Sequence, residues 1–161
     1  MGRTLQLMAV ALMAAPTLHY AAEPARTFAA VVHQSNPTHN LRFADLLSLF
    51  EGAIREWPNG SGVVLVERDP GSAPFQYLMG RLLNTTPGEY KRRLQNIEYR
   101  GETPVSIKIL NSDAAACQFV FNVPSSIAVV ETGSLASPGC AGIQVLQIDG
   151  KLPGEKGYRL K

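Results

Sequence analysis

Charge is sparse in this chain and evenly mixed: 15 Lys and Arg stand against 13 Asp and Glu, 17% of 161 residues, for a net charge of +2. No block of five or more like charges occurs, and the aromatic residues are not interleaved with basic ones. Those lacks exclude a surface that tracks nucleic acid, which needs clustered Lys and Arg. Histidine is limited to His19, His33 and His39 and cysteine to Cys117 and Cys140, none at ligand spacing, so no metal centre is expected. There is no GxSxG, no phosphate-cradling GxxxxGK[ST], and no histidine placed near Ser72 by a motif. Glu67 and Asp69, two apart, could perturb one another's titration, but nothing around them completes acid–base machinery. An enzyme is not expected, and neither is a cofactor.

What is present is a core. Hydrophobic residues make up 45% of the chain, and the length suits one domain. Arg3 is the only charge before Glu23, Leu5 to Ala15 is almost unbroken apolar sequence, and Ala21 and Ala22 precede Glu23-Pro24. Residues 1–22 therefore read as an export signal, too short and too weakly apolar after Pro16 for a membrane span. The competing reading is the first core helix of a cytosolic protein, but the run has no amphipathic face. The expected location is periplasmic. In that oxidising compartment Cys117 and Cys140 could pair, or Cys117 could be a small apolar core residue.

From Phe28 onward strand and helix periods alternate. Phe28 to Val32 reads as a buried strand, and Phe43, Leu46, Leu47 and Phe50 mark one face of a helix ended by Gly52. Val63 to Val66 reads as a second buried strand and Phe75 to Leu83 as a helix. Thr86-Pro87-Gly88-Glu89 is a capping box opening a basic helix whose Lys91, Arg92 and Arg93 suit a solvated face. Val105, Ile107 and Ile109 alternate with polar residues, as in a strand with one wetter face. Ser112 caps a helix to about Asn122, and Ile127 to Val130 and Ile143 to Ile148 supply the last strands. The expected fold is α/β, a mainly parallel sheet flanked by helices, over residues 28–149. Residues 150–161 read as a loose tail or a return strand.

The stretch REWPNGSGVVLVERDPGSAPF, residues 55–75, carries the strongest functional signal. A strand runs into a small-residue turn and then a helix, leaving unpaired backbone N–H groups where the helix dipole is positive. Arg68 before that turn has the planar fork that suits phosphate or carboxylate. Simpler roles exist for each residue: Arg68 pairing with Glu67, Asp69 or another carboxylate, Ser72 as a helix N-cap, Asn36 holding the turn before Pro37.

Residues 54–60, IREWPNG, with Val64-Leu65-Val66-Glu67-Arg68-Asp69, resemble the second lobe of phosphate-binding proteins of bacterial phosphate ABC transporters. Ser35-Asn36-Pro37, then Leu41 to Leu46 and Leu49-Phe50-Glu51-Gly52, resemble the same family's asparagine-proline, helix, phenylalanine-x-glycine order. Ser112-Asp113 and the segment from Val123 to Glu131 extend the resemblance. It implies a single lobe of a periplasmic-binding-protein-like fold, with Arg68, Ser72, Ala73 and Asn36 as substrate-binding residues. The family's turn runs arginine, then serine-glycine-threonine; here Ala73 and Pro74 replace the glycine and threonine, removing an N–H and a hydroxyl.

The resemblance thus implies an exported solute-binding module holding phosphate or another small oxyanion weakly, with a homodimer completing the site in place of the first lobe. The alternative is a periplasmic interaction or sensor-associated protein that has lost ligand binding and docks a periplasmic or membrane protein. Neither reading involves nucleic acid.

Overall fold

A computed structural model describes residues 26–100, 102 and 105–161; the expected export signal, 1–22, lies outside the described residues. The main sheet has five strands, β1 (Phe28–His33), β3 (Val64–Arg68), β4 (Ser106–Leu110), β5 (Ser126–Glu131) and β6 (Ile143–Val145), in the spatial order β4-β3-β5-β1-β6. β3 pairs parallel with both β4 and β5, while β1 pairs antiparallel with β5 and β6. Four strands therefore point one way and β1 alone opposes them. The sheet is mixed but mostly parallel, as the alternation of strands and helices implies. A small parallel pair, β2 (Asn40–Leu41) with β7 (Gln147–Ile148), sits beside it.

Period-two alternation sends side chains to both faces, and both faces are covered. Phe28, Ala30 and Val32 of β1, Leu65 of β3 and Ile127 and Val129 of β5 join one apolar cluster with α1 (Phe43–Phe50) and α2 (Ala73–Tyr77). Tyr90 of α3 (Pro87–Tyr99) belongs to the same cluster. On the other face Ala29, Val31, Val66, Ala128 and Val130 pack against Ala116, Cys117 and Val120 of α4 (Asp113–Asn122). Strands buried on both faces read as continuous apolar runs, which is why residues 28–32 and 127–130 carry almost no polar side chain.

The helix boundaries follow local chemistry. Ser112 accepts from Ala115 N–H at 3.1 Å and starts α4. At α3, Thr86 Oγ1 accepts from Glu89 N–H at 3.3 Å while Glu89 accepts from Thr86 N–H at 3.0 Å, the reciprocal capping box. α1 ends where Gly52 takes φ +73°, a left-handed position that glycine adopts without steric cost. The helix expected over Phe75 to Leu83 begins two residues earlier and changes form: after Tyr77 a π-type turn spans Leu78–Leu82, closed by Leu83 N–H to Leu78 O at 2.9 Å. Gly80 sits in that turn and weakens α-helical continuation.

Two further differences have physical causes. Alternation predicts one dry face for β4, yet Ile107 and Ile109 are 36% and 60% exposed, because β4 is an edge strand reached by little of the helical layer. Residues 150–161 form turns and bends, but they deliver Tyr158 and Leu160 into the core at 2% and 0% exposure. Phe28 N–H donates to Leu160 O at 2.8 Å, so the chain's closing residues lie against the start of β1.

Cys117 of α4 and Cys140 are joined by a disulfide, with Cα atoms 4.8 Å apart. Gly139 makes room for it: a Cβ there would meet Ala114 Cβ at 2.8 Å. Among the described residues no helix is long and apolar enough to cross a membrane.

Candidate functional site

The site expected from sequence lies where β3 ends. Arg68 is the last residue of β3, Asp69 to Gly71 form the turn, and Ser72 is the N-cap of α2. Ser72 Oγ donates to Asp69 O at 2.7 Å and accepts from Phe75 N–H at 3.3 Å. Its only proton is used in shaping the turn, so it has none left to donate to an anion. Pro74 has no N–H to offer, and the N–H groups of Gly71 and Ala73 find no acceptor among the described residues.

Arg68 is committed elsewhere. Its Nη1 donates to Asp113 Oδ1, its Nε to Leu110 O at 3.2 Å, and its Nη2 to Asn111 O at 3.1 Å and Asp69 Oδ1 at 3.3 Å. Asp113 also accepts from Glu131 N–H at 3.0 Å and from Ser134 Oγ at 2.7 Å. The guanidinium thus ties the ends of β3, β4 and β5 together across the parallel part of the sheet.

Asn36 is not part of this cluster. Leu65, Ile127 and Val32 form one row across β3, β5 and β1. Arg68 lies beyond that row in one direction, roughly 10 Å at strand rise. Because β1 runs antiparallel, Asn36 lies beyond it in the other direction. There Asn36 is buried, its N–H donates to His33 O at 2.9 Å, and its Oδ1 accepts from Thr38 N–H at 2.9 Å. The structure brings Arg68, Ser72 and Ala73 together and leaves Asn36 at the far end of the sheet.

Glu67 and Asp69 do not act as a pair. Glu67 is 5% exposed and accepts from Tyr90 Oη at 2.6 Å, whereas Asp69 is on the turn with its side chain 43% exposed. Burial raises the Glu67 carboxyl above the usual range, and the Tyr90 hydrogen bond offsets only part of that rise.

Sequence reasoning missed two groups here. Asp113 needed the strand order, since only the β3–β4 pairing sets the start of α4 beside Arg68. The second is a cavity of about 510 Å³ beside the turn, with Arg26, Phe28, Gly71, Ala73, Tyr77 and Arg81 among the residues around it. Ala73, Tyr77 and Arg81 share helical spacing, but nothing local in the sequence sets Arg26 and Phe28 beside them.

Solved structures share this architecture. PstS from Borrelia burgdorferi matches at 16% identity with TM-score 0.64, over 80% of this chain and 49% of that one. The chain has the fold of one lobe of a phosphate-binding protein. An ABC-type phosphate transport receptor from Vibrio cholerae matches at 19% identity and TM-score 0.62, over 84% of this chain and 53% of that one. A protein from Clostridium perfringens solved with bound phosphate matches at 15% identity and TM-score 0.61, over 79% and 46%. This chain therefore spans about half the length of each of those relatives. No family model and no curated protein matches the sequence. At these identities the likeness is one of fold. The chemistry rests on the β3–α2 turn itself.

Proposed function

We propose that this chain is a solute-binding module that holds phosphate or another small oxyanion weakly at the turn between β3 and α2, working in the periplasm. The carrying observation is the pair of unpaired N–H groups at Gly71 and Ala73, set where a parallel strand meets a helix start. The fold is shared with proteins described as phosphate transport receptors, which supports the same class of ligand. Arg68 contributes positioning: tied to Asp113, it holds the turn rather than meeting the anion as a free charge. Two backbone hydrogen bonds to a charged ligand, at about 1.5–3 kcal/mol each, correspond to dissociation constants from several millimolar down to roughly tens of micromolar. Tighter capture needs a second surface, supplied by another copy of the chain or by a protein partner.

A thermal-shift titration of the full chain with phosphate, sulfate and small carboxylates at constant ionic strength tests this. The discriminating variant is Ala73→Pro. Position 73 is the first helical residue, where proline is accommodated, and Ser72 is already extended at φ −79° and ψ 151°. The variant keeps the fold and removes one donor. A saturable rise in melting temperature that Ala73→Pro abolishes supports the reading. No shift with any anion at millimolar concentration overturns it.

One observation favours a second reading, an interaction or sensor-associated protein without a ligand. Arg68 is wholly engaged, and β4 presents Ile107 and Ile109 on an open sheet edge. Indifference to every anion, together with concentration-dependent self-association or capture of a periplasmic or membrane protein, selects that reading.

A further inference from the structure

β4 leaves one row of backbone groups unused. Asp69 N–H donates to Leu110 O at 3.0 Å, whereas Val64 N–H turns the other way, to Ser125 O at 3.1 Å. Backbone groups alternate in direction along a strand, so Ser106, Lys108 and Leu110 face β3. The N–H and C=O of Ile107 and Ile109 therefore point out of the sheet, and among the described residues they find no partner. Another extended backbone is what supplies donors and acceptors at the matching repeat.

The side chains mark the same edge. Ile107 is in register with Leu65 and Ile109 with Glu67, so both lie on the sheet face that carries α3, 36% and 60% exposed. Val105, partly buried against the core, precedes them. Lys108, in register with Val66, lies on the face that carries α4 and is the only charge in the strand.

These residues decide which strand fits. A second copy of β4 can pair antiparallel about a two-fold axis with outward groups opposite one another, centred on Ile107, Lys108 or Ile109. Centred on Lys108, the pairing sets two ammonium groups directly opposite, which is unfavourable. Centred on Ile109, it needs Ile107 to bond Asn111, whose C=O is already turned to Arg68 Nη2 at 3.1 Å and whose successor Ser112 caps α4. Centred on Ile107, both obstacles vanish. Lys108 then meets Ser106, and Val105 of one copy faces Ile109 of the other, an apolar ladder continuous with the core. A net charge of +2 sets little long-range repulsion against this approach.

We propose that two copies of this chain join through β4, antiparallel and centred on Ile107, into one continuous sheet. The edge is short, so the dimer belongs to the weak, transient class. The inference rests on the open edge that favours the second reading above, and it holds whether or not the turn takes an anion. Antiparallel pairing sends the two β3–α2 turns to opposite ends of the joined sheet, so neither copy encloses the other's turn.

Sedimentation equilibrium of the full chain, from low micromolar to several hundred micromolar, tests it; the dimer fraction should rise with concentration. Ile109→Pro removes an outward N–H and leaves the bonds to β3 intact, and proline is tolerated on a sheet edge. It should weaken association at least about tenfold with circular dichroism unchanged. Ile109→Lys, at an exposed position, is the second variant and should act in the same direction. Oxidative cross-linking reads the register, since both native cysteines are held in their own disulfide. Ile107→Cys should join to its counterpart, whereas Lys108→Cys and Ile109→Cys, offset from theirs, should not.

A chain that stays monomeric at every concentration overturns the inference, even if a foreign strand binds the edge. So does a dimer that both Ile109 variants leave intact, or one that cross-links at 108 or 109 and not at 107. Phosphate titration of Ile109→Lys separates this inference from the oxyanion reading: the anion response should match that of the native chain. A response lost with the dimer overturns the opposed arrangement of the turns. No anion response in either protein removes the oxyanion reading and leaves the dimer standing.

Discussion

Arg68 and Asp113 form a buried ion pair, their side chains 11% and 9% exposed, that joins the end of β3 to the start of α4. Forty-five residues separate them in sequence, and the parallel pairing of β3 with β4 brings them together. Asp113 is further satisfied by Glu131 N–H and Ser134 Oγ, so the pair is the centre of a network rather than an isolated contact.

Breaking the pair from one side strands a charge in the interior. Asp113→Ala should lower unfolding free energy by about 3–5 kcal/mol, read by urea denaturation. Joint replacement, Arg68→Met with Asp113→Leu, should cost less than the single change, because no uncompensated charge remains and only the neutral groups Glu131 N–H and Ser134 Oγ lose their acceptor. Equal losses from the single and double variants would refute the account.

Glu67 makes stability depend on pH in an unusual direction for a carboxylate. Its folded pKa is raised by burial, so the native state holds the proton more tightly than the unfolded chain does. The contribution is most favourable below the ordinary glutamate pKa and falls as pH rises from there through the raised folded value. Glu67→Gln should therefore raise the melting temperature at pH 7 and change it little near pH 4. Tyr90 Oη can still donate to the carbonyl oxygen of the introduced amide, so the geometry is kept. A pH-independent difference between the two proteins would contradict this origin.

The bond between Cys117 and Cys140 closes a loop with a sequence separation of 23. Loop-closure entropy for that length corresponds to about 3 kcal/mol. Paired replacement of both cysteines by alanine should lower the urea midpoint accordingly, and thiol titration of the denatured, unreduced protein should find no free cysteine.

Trp57 is 4% exposed, and its Nε1–H donates to Ser125 O at 2.8 Å, linking the loop before β3 to the entry of β5. Trp57→Phe should cost about 1–3 kcal/mol from the lost hydrogen bond and contacts. Since Trp57 is the only tryptophan, its emission should shift to longer wavelength on unfolding and report these experiments.

Much of the architecture was legible because it rests on local chemistry. The apolar runs at residues 28–32 and 127–130, the Thr86 box and the Ser112 cap are sequence-adjacent signals, and each has the local structure it implies. The site was legible only in part. Ser72 caps a helix, as its position before Ala73-Pro74-Phe75 implies. The partner of Arg68 was hidden, since strand order decides it and strand order is not written in any local window. Asn36 is separated from Arg68 for a related reason: the reversal of β1 sends it to the opposite end of the sheet. The π-type turn was invisible because the residues it buries, Leu78, Met79 and Leu82, also satisfy an ordinary helix pattern.

The hydrogen bond from Phe28 N–H to Leu160 O has a topological consequence. A folding unit whose first strand and final residues touch occupies a single doorway in space. Cut at residues 28 and 160, the described fold would present both cut points side by side, the geometry that lets a unit sit within a longer chain without stretching it.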